Sequence, residues 1–154
     1  LYGMQGMNSD CSEVHDVLSA VAIKVRCCKE DLRAQAVGNA LYGMQGMSSD
    51  CSEVRNVLSS LAIKVRGYKE DLSAQHVGNA LYGMQGMSSD CSEVHDVLSS
   101  LAIKVRGCKE DLSAHAVGNA LYGMQGMSSD CSEVRNVLSS LSIKVMCCSQ
   151  QLSA

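Results

Sequence analysis

Leu41-Tyr42-Gly43-Met44-Gln45-Gly46-Met47-Ser48-Ser49-Asp50-Cys51-Ser52-Glu53-Val54 is one copy of a stretch the chain carries repeatedly. LYGMQGM begins at Leu1, Leu41, Leu81 and Leu121, and S-D-C-S-E-V returns at Ser9, Ser49, Ser89 and Ser129. A unit of 40 residues cannot bury its own apolar face, whereas stacked copies share a continuous core. The chain therefore reads as one helical-repeat array over 1–154, with units 1–40, 41–80, 81–120 and 121–154. It starts inside a repeat without an initiator Met and stops where the next LYGMQGM is due, which reads as a segment of a longer array.

Each unit divides into two helical patterns. The first runs from Ser73 into LYGMQGM, with apolar residues at Val77, Leu81, Met84 and Met87, the spacing of one helix face. Ser73 suits its N-cap, because a hydroxyl there can accept from a backbone N–H of the first turn. This is helix A. The second opens at Asp50, where Asp-x-x-Glu resembles a capping box, and places Val54, Val57, Leu58, Leu61 and Val65 along one stripe. Lys64 and Arg66 at its end complement the helix dipole, and Gly67 suits a left-handed terminal position. This is helix B, about 16 residues long.

Strand-like alternation is absent, as are Phe and Trp. The expected fold is an all-α, right-handed α-solenoid in which A and B alternate. Gly78, Gly83 and Gly86 weaken helix A and so point to close approach of a neighbouring helix ahead of a ligand backbone, and Met84 and Met87 read as core filler ahead of a binding patch.

Net charge is −3 with acids and bases interspersed, so no basic tail advertises nucleic acid. No apolar run reaches the length of a membrane span. The nine cysteines include no C-x-x-C, and equivalent positions of stacked helices lie too far apart for disulfides. They read as small, half-buried free thiols in a reducing compartment, with no metal and no cofactor. His15, His76, His95 and His115 are each replaced in another repeat, and no nucleophile or paired carboxylates accompany them. The expectation is a non-enzyme without a catalytic residue or a small-molecule substrate.

The run Leu72-Ser73-Ala74-Gln75-His76-Val77-Gly78-Asn79-Ala80-Leu81-Tyr82-Gly83-Met84 resembles the octatricopeptide-type repeat of algal organelle proteins. The Leu-Ser, Gln, Asn, Leu and aromatic positions of that pattern coincide with Leu72, Ser73, Gln75, Asn79, Leu81 and Tyr82, and the match recurs from Leu32 and from Leu112. A Pro-rich turn of the family is replaced by Ser-Ser-Asp-Cys, and Tyr42, Tyr82 and Tyr122 stand at its Trp position. The resemblance implies binding of single-stranded RNA in a chloroplast or mitochondrion.

Stacking would align Gln35, Gln75 and His115, then Asn39, Asn79 and Asn119, then Tyr42, Tyr82 and Tyr122 beside Tyr2. Amides can read base edges and aromatic rings can stack on bases, one base per repeat. The same columns can equally order the stack itself, or serve as the docking strip of a partner protein in an armadillo- or HEAT-like scaffold. The bases near Lys64, Arg66 and Lys69 are matched by Glu70 and Asp71 and read as a solvated rim. At helix B, His15-Asp16, Arg55-Asn56, His95-Asp96 and Arg135-Asn136 alternate, as if an 80-residue pair had been copied. Arg55 is expected to pair across the stack with Asp16 and Asp96.

Overall fold

The computed structural model describes residues 1–30 and 32–151, with side chains through residue 147. Every regular element among them is helical: a 3₁₀ turn at Tyr2–Met4, then α1 (Ser12–Cys27), α2 (Ala34–Tyr42), α3 (Ser52–Gly67), α4 (Ala74–Tyr82), α5 (Ser92–Gly107), α6 (Ala114–Gly123) and α7 (Ser132–Gln151). The odd-numbered helices are the B helices and the even-numbered ones the A helices. α1 packs on α3, α3 on α5 and α5 on α7, while α2 packs on α4 and α4 on α6. Two parallel columns of helices result, the architecture of an all-α helical-repeat solenoid. No helix among the described residues is long and apolar enough to cross a membrane.

The stripe of helix B forms the core as expected: Val54, Val57, Leu58, Leu61 and Val65 are all buried. Helix A is shorter than its apolar spacing suggests. α4 ends at Tyr82, and Gly86 turns the chain at φ +89°, a backbone conformation no helix contains. Met84 and Met87 lie in this turn, yet both are buried as core filler. Ser73 does cap α4, its hydroxyl accepting from the His76 N–H, and Ser113 does the same for Ala116 in α6. At α2 the corresponding Arg33 makes no side-chain cap, and the Tyr68 hydroxyl accepts from the Ala34 N–H instead.

Two expectations about helix B need correction. The N-cap of α3 is Cys51, with Asp50 outside the helix, so Asp50 and Glu53 do not form a capping box. Gly67 is the last helical residue and is not left-handed; the chain leaves through Tyr68 at φ −70°, ψ 121°. The carbonyl there is satisfied from the next unit, where the Lys104 ammonium donates to the Tyr68 carbonyl. Lys64 does the same for Cys28, and Lys144 for Cys108. These lysines belong to the inter-repeat contact and not to a solvated rim.

The glycines set the spacing of the A column. A Cβ on Gly83 would fall 1.9 Å from the Leu41 carbonyl oxygen, and one on Gly78 would fall 2.9 Å from Ala116 Cα. Both glycines let neighbouring A helices approach closer than any side chain allows. Ser88 N–H donates to Ser49 Oγ at 2.8 Å and Ser128 N–H to Ser89 Oγ at 2.9 Å, joining the loops between A and B. Burial tracks position in the stack: Leu41 and Leu81 are fully buried, but Leu121 is 50% exposed.

Candidate functional site

The tyrosine column is continuous. Ring centroids of Tyr2 and Tyr42 lie 5.4 Å apart, those of Tyr42 and Tyr82 5.1 Å, and those of Tyr82 and Tyr122 5.4 Å, each pair within 19° of parallel. Both faces of Tyr42 and Tyr82 are therefore covered by other tyrosines, and no gap admits a base between them. A glutamine column runs alongside it: Gln5 donates to Gln45 at 3.3 Å, and Gln45 donates to Gln85 at 2.8 Å. These groups satisfy one another along the stack.

The remaining predicted residues divide by position. Gln35, Gln75 and His115 are exposed, whereas Asn39, Asn79 and Asn119 are half-buried. Gln75, Asn79, His115 and Asn119 come together in a cleft of about 320 Å³ between α4 and α6, floored by Ala74 and Ala116. Asn119 Nδ2 sits 3.3 Å from His115 Nε2 within it. Gln35, Asn39 and the tyrosines do not line this cleft.

Charges at the ends of the B helices are engaged. Lys109 pairs with Asp71 at 3.0 Å, in keeping with the expected matching, and Arg106 donates to Ser140 Oγ at 2.9 Å. Arg55 does not bridge Asp16 and Asp96. Its guanidinium donates to the Ser49 and Asp50 carbonyls at 2.9 and 2.8 Å, which hold it at the start of its own helix. Asp96 instead meets Arg66 at 3.5 Å. Every B helix presents an isoleucine outward at the same repeat position: Ile23, Ile63, Ile103 and Ile143 are 66, 60, 62 and 51% exposed.

A further cluster lies where successive B helices begin. His15 of α1 meets Cys51 and Glu53 of the next unit, and His95 of α5 meets Cys131 and Glu133, with ligand atoms within 4.8 Å in each group. Cys51 Sγ is 3.6 Å from His15 Nε2 and 3.3 Å from Glu53 Oε2. The Glu53 carboxyl is held below the usual glutamate value of 4.5 by donation from Ser52, then from Cys51 and its own N–H, with His15 adding a smaller attraction. Glu133 is lowered by Ser132, its own N–H and Cys131. At the middle interface Arg55 replaces the histidine beside Cys91 and Glu93.

Ligand spacing within one unit does not reveal this cluster, because its ligands come from two. The alternation of His and Arg at positions 15, 55, 95 and 135 was its visible signal. The eight cysteines described are free; Cys28, Cys51, Cys91 and Cys131 are half-buried as expected, whereas Cys108 is buried and Cys11, Cys27 and Cys147 are exposed. The side chain of Cys148 lies outside the described residues. No protein-family model, curated protein or solved structure matches this chain.

Proposed function

We propose that the chain is a non-enzymatic helical-repeat scaffold that docks a partner protein along the outer edge of its B helices. The observation that carries this reading is the register of Ile23, Ile63, Ile103 and Ile143, each more than half exposed. A single exposed aliphatic side chain is ordinary; a column at every repeat is an apolar strip that a partner can cover. The tyrosines and Gln5, Gln45 and Gln85, by contrast, are occupied with one another.

Single-stranded RNA is the second reading, implied by the octatricopeptide-type resemblance and supported by the amide-lined cleft of Gln75, Asn79, His115 and Asn119. A photo-crosslinking residue at position 63 or 103, paired with RNA titrations at two salt concentrations, separates the two. The scaffold reading expects a protein adduct that disappears, at unchanged melting temperature, when the flanking isoleucines become Asp (Ile23 and Ile103 for a probe at 63, Ile63 and Ile143 for one at 103), and no RNA retention. RNA binding that weakens with salt and drops on Gln75→Ala/His115→Ala would replace it.

A further inference from the structure

We propose that the chain binds two divalent cations of the zinc class, one at His15, Cys51 and Glu53 and one at His95, Cys131 and Glu133. Each site offers an imidazole nitrogen, a thiol sulfur and a carboxylate oxygen, the donor set that a borderline-soft cation selects. The geometry is already close to what such an ion requires. Bonds of about 2.3 Å to sulfur and about 2.0–2.1 Å to nitrogen and oxygen give tetrahedral edges of about 3.5 Å. The observed edges from Cys51 Sγ are 3.6 Å to His15 Nε2 and 3.3 Å to Glu53 Oε2. At the second site Cys131 Sγ lies 3.3 Å from Glu133 Oε2.

Binding would replace one S–H bond by a metal–sulfur bond and release that proton to solvent. The imidazole must present Nε2 as a lone pair. Nε2 of His15 now faces the Ser9 carbonyl and that of His95 the Ser89 carbonyl, so in the metal-free chain it carries the proton as donor. On binding, that proton shifts to Nδ1 and the carbonyl is released. The carboxylate is already ionised at neutral pH. The ion's remaining position falls to water.

The middle interface is a control built into the chain. Cys91 and Glu93 repeat the Cys and Glu of the other two sites, and Cys91 Sγ lies 3.1 Å from Glu93 Oε2. Arg55 stands where the histidine would be, and a guanidinium carries no lone pair for a metal. Metal would thus join α1 to α3 and α5 to α7 while leaving α3 and α5 unbridged. The 80-residue alternation then acquires a chemical meaning as a pairing of repeats, independent of which partner the scaffold carries.

The test is a Co(II) titration of the reduced full chain, followed by the thiolate-to-cobalt charge-transfer band and by displacement with zinc. The native chain should saturate at two equivalents. His15→Arg or His95→Arg should each leave one, and the double variant none. Arg is already seated at positions 55 and 135, so these substitutions reproduce a side chain the repeat accommodates. Arg55→His should raise the stoichiometry to three, supplying the missing ligand beside Cys91 and Glu93. Absence of the band in the native chain would overturn the proposal, as would a band unchanged in His15→Arg/His95→Arg, since that signal would come from the other cysteines. Unchanged helical circular dichroism in each variant keeps the comparison one of ligands.

Discussion

At Gly83 the backbone of one repeat touches the backbone of the next, whereas Gly67 has open space where a Cβ would stand. The two glycines make opposite predictions for one substitution. Gly83→Ala forces the Leu41 carbonyl away and should cost about 1–3 kcal/mol, the usual penalty of overpacking. Gly67→Ala is helical, unobstructed and not left-handed, so it should stabilise by about 0.4–1 kcal/mol through the unfolded chain. Urea unfolding of the two variants measures both. Equal destabilisation would mean that backbone conformation, and not inter-repeat contact, explains these glycines. The sequence foretold close approach at Gly78 and Gly83, because glycine inside an amphipathic helix needs a reason. It did not separate them from Gly86, which answers to a positive φ.

The B helices begin alike, and their first turns share an electrostatic design. Glu13 and Glu93 are lowered chiefly by the neighbouring Cys11 and Cys91 thiols, Glu53 and Glu133 chiefly by Ser52 and Ser132. A carboxyl whose folded value is depressed contributes stability that is complete above its unfolded value and is lost as pH falls through the folded one. The melting temperature should therefore fall on acidification from about pH 6 to about pH 3, and replacement of all four glutamates by Gln should flatten that dependence. A slope unchanged in the quadruple variant would assign acid sensitivity to other carboxylates. The existence of these helices was legible from apolar spacing, since Val54 through Val65 mark a single stripe. Their ends were less so. Asp50 has the right chemistry for a cap but sits one residue too early, and the Lys104 bond to Tyr68 comes from the following repeat. The His15–Cys51 encounter was hidden for the same reason, because it depends on how one B helix lies on the next.

At the scale of the molecule the period of 40 residues decided the architecture, and burial shows what stacking contributes. Val57 and Val97 are fully buried while their counterpart Val17 is 47% exposed, so identical residues are core or surface according to their neighbours. Stability should then grow with repeat number as a sum of unit and interface contributions. Inserting a second copy of residues 81–120 should raise the denaturant midpoint and steepen the transition; an unchanged midpoint would mean that the units fold independently. The tyrosine ladder adds a consequence for the path to that state. Its rungs at Tyr2, Tyr42, Tyr82 and Tyr122 are chemically the same, and so are the glycines that admit each neighbour. During folding α2 can meet α6 as readily as α4, leaving one unit looped out of an otherwise well-made stack. Escape from that pairing requires the wrong contact to dissociate first, so refolding should show a slow, concentration-independent phase that speeds up in moderate urea.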